Sequence, residues 1–180
     1  MFGGRFPFAF GVPAEAACEI FPIDAVGGII GLELATAIGV FDAAAIVEGW
    51  ADHWMETTGR AAHDPEGRTF YLAVGIAGPD HEREYLIASG LAEEILGDVH
   101  RDGFDPRRVI TVNVSGIIRE LRARAKRMGL DLGPIFLPPD HPEFVSLISG
   151  AADIRRQALE IFRREHPEKL GRAPVGRALQ

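Results

Sequence analysis

The 180-residue sequence holds a single cysteine, Cys18. An internal disulfide is therefore excluded, and a reducing, cytoplasmic setting is the expectation. Glu15 and Glu19 flank that thiol, and acidic neighbours suppress the thiolate a nucleophile needs. No cysteine–histidine spacing matches a zinc finger. Lysine is nearly as scarce: Lys126 and Lys169 are the only two, and arginine supplies the remaining cations. Long hydrophobic runs are missing too. The most apolar stretch, 25–41, carries Glu33 in its middle and is bounded by Asp24 and Asp42. A charge at bilayer depth costs about 2.5–3.5 kcal/mol on the mildest scale. The stretch also falls short of the roughly 20 residues a span needs. A buried helix is expected there, and no membrane partner. Met1 to Pro7 lacks an apolar run with a small-residue cleavage site, so no signal peptide is expected.

Hydrophobic residues make up 47 % and charged residues 25 %, which fits a globular chain rather than a disordered one. The length suits one domain, expected over 1–170 with a loose tail at 171–180. The net charge of −7 is unevenly spread. Residues 1–100 carry 16 acidic and 4 basic side chains, and residues 101–180 carry 10 acidic and 15 basic ones. The first half should repel polyanions, while the second could attract an anionic ligand.

The apolar segment predicts a helix over 28–38, and Asp42 looks like the N-cap of a second helix reaching Thr57, with Gly59 as its stop. Gly27 and Gly31, four residues apart, favour close helix packing within the chain or across a dimer. The run 69–76 is nearly all apolar and rich in strand formers, as a strand buried on both faces would be. A helix is expected over 81–100. A second strand is expected at 109–114, then a helix over 116–128 capped by Ser115. A third strand is expected at 134–137, then a last helix over 141–164. Alternation of this kind predicts an α/β domain with a short, mostly parallel sheet, flanking helices and a largely helical N-terminal part.

One internal echo stands out. Pro79-Asp80-His81 recurs as Pro139-Asp140-His141, and Ser89-Gly90 recurs as Ser149-Gly150 in the same register. Each copy is expected to follow a strand and open a helix. The plain reading is a proline-entered turn with an aspartate cap. The functional reading is two equivalent turns meeting at one ligand.

In parallel sheets, ligands bind beyond the carboxyl ends of the strands, where helix N-termini favour anions. The expected site follows from that rule. Asn113, Ser115 and Gly116 would bind a phosphate or carboxylate, with Arg119 reaching back from one turn in. His81 and His141 would be acid/base or metal residues, oriented by Asp80 and Asp140. No cofactor can be named. A divalent metal would need these histidines and carboxylates to converge, and no compact metal motif is present. The leading expectation is a small-molecule enzyme, a transferase or hydrolase. The alternative is a non-catalytic homo-oligomeric scaffold joined through the helices of 25–50. Nucleic acid is disfavoured. Helix 116–128 should place Ile117, Ile118, Leu121, Ala125 and Met128 on one face and Arg119, Arg122 and Lys126 on another. No aromatic residues are interleaved for base stacking.

Overall fold

The computed structural model describes residues 22–79, 82–130, 138 and 140–165. The elements are α1 (Pro22–Ile38), α2 (Val40–Gly49), α3 (Ala51–His63), β1 (Phe70–Ala77), β2 (Glu84–Leu91), α4 (Ala92–Asp98), β3 (Arg108–Asn113), α5 (Val114–Arg127) and α6 (Pro142–Glu165). The expectations for Cys18, for the strand at 134–137, for Asp80 and His81, and for the tail at 171–180 lie outside the described residues.

The expected parallel sheet is not what forms. The sheet has three strands in the order β2-β1-β3, and β1 runs antiparallel to both neighbours. The decisive segment is 84–91. It lies inside the stretch expected to be helical, yet it forms β2. Its side chains alternate: Tyr85 and Ile87 join one apolar cluster, whereas Leu86 and Ala88 join another. That period of two suits a strand with both faces covered. Once 84–91 is a strand, the short link 78–83 closes a hairpin, and a hairpin must be antiparallel.

β1 itself matches its expectation as a doubly buried strand. Leu72, Val74 and Ile76 face the larger cluster, with Val26, Ile30 and Leu34 of α1 and Trp54 of α3. Ala73 faces the smaller one, with Ile95 of α4 and Val99. Gly75 shares that second face, where an added Cβ would press on the Phe104 ring at 3.0 Å.

The helical half also departs in detail from the sequence reading. α1 presents Val26, Ile30, Leu34 and Ile38 at four-residue spacing to the core. Gly27 and Gly31 are buried beside them. The single helix expected over 42–57 is broken at Trp50, whose φ of −125° and ψ of 30° are not helical. The Trp54 indole then donates back to the Val47 carbonyl at 3.0 Å, stapling α3 to α2 across the break. Gly59 does not stop α3, which continues to His63. Its missing side chain instead makes room for Phe144 of α6. Met128, expected on the buried face of α5, is 72 % exposed because it follows the last helical residue, Arg127.

Candidate functional site

Antiparallel pairing separates the groups that the sequence reading brought together. Tyr71 at the start of β1 pairs with Asn113 at the end of β3, while Ile76 near the end of β1 pairs with Arg108. At about 3.4 Å per residue, the two ends of the sheet stand roughly 17 Å apart. The turn after β1 and the turn after β3 therefore open on opposite ends. The echo of Ser89-Gly90 in Ser149-Gly150 is likewise not structural, because the first pair lies in β2 and the second in α6.

At the β3–α5 junction, Asn113, Ser115 and Gly116 each have a partner within the chain. The Asn113 side chain, not Ser115, caps α5, its Oδ1 accepting from the Gly116 N–H at 2.7 Å. The Ser115 hydroxyl is buried and accepts from the Phe70 N–H at 3.0 Å. It also lies 3.5 Å from the Arg68 carbonyl oxygen, to which it donates. Arg119 is exposed on α5. Asp140 is exposed just before α6, and His141 is half-buried, its backbone N–H donating to the Pro138 carbonyl at 2.9 Å. Asp80 and His81 fall outside the described residues, so the pairing of the two histidines does as well. Among the described residues, no group of three or more His, Cys, Asp or Glu side chains is gathered to hold a metal.

A different end of the molecule gathers charge. A cleft of about 370 Å³ is lined by Ile38, Ile76, Gly78, Pro79, Arg83, Arg107 and Arg108. It lies where the carboxyl end of β1 meets the carboxyl end of α1. The three guanidinium-bearing residues come from the start of β2 and the start of β3. Gly78 shapes the turn: its φ is +77°, and an added Cβ would collide with the Glu82 carbonyl oxygen.

Helix α1 explains why arginines stand there. Its last turn has no basic residue of its own, so its terminal carbonyls and the negative end of its dipole lack a cation within the helix. Arg108 donates to the Ala37 carbonyl at 3.2 Å, and Arg83 to the Ile38 carbonyl at 3.4 Å. Arg83 also lies 3.5 Å from Asp42 Oδ2. That carboxylate accepts a hydrogen bond from the Tyr85 hydroxyl at 2.5 Å. Burial, and then the bond to Asp42, push the Tyr85 phenol above its ordinary value. Arg107 differs from its neighbours. Its backbone N–H donates to the Ile76 carbonyl at 2.9 Å, but among the described residues its side chain forms no ion pair. Each guanidinium offers five N–H donors, so Arg108 keeps spare donors after bonding the Ala37 carbonyl.

No family model, curated protein or solved structure matches this chain.

No local motif marks Arg83, Arg107, Arg108 or Tyr85, and Asp42, expected as a helix cap, is not one. In the structure Gly39 precedes α2, and Asp42 lies in the first turn facing Tyr85. One signal was present: Arg107-Arg108 is an adjacent basic pair just before a strand, after the turn residues Asp105-Pro106. Its meaning depends on α1 ending nearby, which a local pattern does not encode.

Proposed function

We propose that this protein binds a small anionic molecule, a carboxylate or phosphate compound, in the cleft between α1 and the sheet. The observation that carries the reading is the convergence of Arg83, Arg107 and Arg108 on one concavity. Its volume falls in the range of small-ligand sites, roughly 300–1,000 Å³. Arginine suits the task because its planar fork meets carboxylate or phosphate oxygens in pairs. Two of the forks are held in place by α1, which lowers the entropy lost when a ligand binds. Ile38, Ile76 and Pro79 supply an apolar wall for the rest of the molecule. An enzymatic role, as transferase or hydrolase, would extend this binding reading. Asp42 and Tyr85, beside Arg83, are then the titratable pair closest in bonding to the cleft residues.

Arg107 provides the test, since its side chain has no described structural partner to lose. Calorimetry with inorganic phosphate, phosphorylated metabolites and dicarboxylates should find a ligand. Arg107→Ala should weaken it at least about tenfold, the cost of one charge-assisted hydrogen bond being roughly 1.5–3 kcal/mol. Equal affinity in the wild type and the variant would reject the cleft.

A second reading has its own observation. Phe41 is 84 % exposed and Leu32 68 % exposed, both on the α1–α2 pair expected to join copies of the chain. We propose self-association through this pair as the alternative function. Light scattering should then give more than one chain mass, reduced to one by Phe41→Asp.

A further inference from the structure

Away from the cleft, α5 carries a run of positive charge. Between Arg119 and Arg127 the helix carries Arg119, Arg122, Arg124, Lys126 and Arg127 against a single acid, Glu120. All five cations are exposed, and Glu120 pairs with Arg124. At about 100° per residue, all five fall within about 100° of the direction in which Ala123 points. Ala123 is exposed, so the outward crest of the helix is a single methyl group between cationic flanks. The opposite face is fixed by Ile117, Ile118 and Ala125, packed toward the core. Arg122, at one edge of this face, donates to the Ala62 carbonyl of α3 at 3.3 Å, while Arg119, Lys126 and Arg127 lie on the side turned away from the α1, α3 and β1 packing.

The end of the helix adds a different chemistry. Met128 and Leu130 are 72 % and 54 % exposed, directly after Lys126 and Arg127. We propose that α5 docks this protein on an anionic lipid surface. The cations would lie against the headgroups, and Met128 and Leu130 would enter the interface. Two features select lipid over nucleic acid. Apolar side chains beside cations are rewarded at a bilayer interface but find nothing to bury against a phosphate groove. The cations on α5 also have no aromatic neighbour in sequence on which bases could stack. Such docking needs no spanning segment, and among the described residues no helix is long and apolar enough to cross a membrane.

Co-sedimentation of the full chain with vesicles tests this. Vesicles with 30 % phosphatidylserine should carry the protein down at about 50 mM salt, and neutral phosphatidylcholine vesicles should not. Raising the salt to about 500 mM should release it, because the screening length falls to a few ångströms. Each cation near such a surface is worth roughly a fivefold change in partitioning. Arg119→Ala with Lys126→Ala should therefore lower binding about 25-fold. Both side chains are exposed, so an unchanged melting curve keeps the loss from being one of folding. Met128→Ser should also weaken vesicle binding. Equal binding to neutral vesicles, no binding to phosphatidylserine, or a double variant that binds as the wild type would overturn the proposal. So would salt-sensitive binding to duplex RNA or DNA without vesicle binding.

Discussion

Gly59 and Phe144 make a quantitative case. Phe144 is 2 % exposed and ties α6 to α3. A methyl group built on Gly59 would meet the ring at 2.7 Å from Cζ and 2.8 Å from Cε1. Two opposed effects act on Gly59→Ala. Alanine stabilises a helix interior by about 1 kcal/mol over glycine. Overpacking a filled contact costs about 1–3 kcal/mol. The net expectation is a loss of up to about 2 kcal/mol. Phe144→Ala alone should cost about 3–5 kcal/mol. Once the ring is gone, Gly59→Ala should change sign and stabilise by about 1 kcal/mol, since only the helix preference remains. The coupling between the two sites is then about 1–3 kcal/mol. Urea unfolding of the four proteins, followed by far-ultraviolet circular dichroism, measures each value from the midpoint and slope. Residues out of contact usually add to within about 0.5 kcal/mol. If Gly59→Ala has the same effect with and without the ring, α6 does not rest on α3 in this way.

Further expectations follow from other contacts. Ser115→Ala strips the buried Phe70 N–H of its acceptor and should lower stability by about 1–3 kcal/mol in the same unfolding assay, whereas Ser115→Thr, which keeps a hydroxyl, should lose less. Gly78→Ala imposes a left-handed φ and a collision with the Glu82 carbonyl, so it should cost about 1–3 kcal/mol and weaken any ligand of the cleft. The hydrogen bond from Arg68 holds the Asp64 carboxyl below its ordinary value. A depressed carboxylate stabilises the fold above its unfolded pKa of about 3.9 and loses that contribution as pH falls through the lower folded value. Asp64→Asn should therefore destabilise at pH 7, with a penalty that fades in acid; a constant penalty from pH 7 to 2 would contradict the assignment. The Tyr85 phenol, raised by burial and by Asp42, stabilises the fold below about pH 10 and ceases to do so as pH climbs through its raised value. Tyr85→Phe should flatten the alkaline limb of stability.

Where the signal was a local pattern, the sequence was legible. The apolar run at 69–76 and the segment at 109–114 appear as β1 and β3, each shifted by about one residue. The helices at 116–128 and 141–164 appear as α5 and α6 with small changes at their ends. The pairing direction was not legible, because it turned on one short segment. Glu84 to Leu91 is apolar on alternate positions on both faces, so its period is masked, and two glutamates and an alanine follow it in helix-favouring order. Tertiary burial, not local preference, makes it a strand. The candidate site suffered the same way. Asn113, Ser115 and Gly116 were correctly seen as a strand-to-helix turn, but their donors and acceptors are used by one another and by Phe70. The arginines of the cleft come together only because α1 ends beside the sheet, a meeting of residues up to 71 positions apart.

The bond between the Phe70 amide and the Ser115 hydroxyl joins the entrance of the central strand to the first turn of a helix 45 positions away. Neither element can peel off while that proton stays shielded. Deuterium uptake at this one amide thus reports the parting of two distant pieces of chain, and gives a single-site clock for how the middle of the molecule comes open.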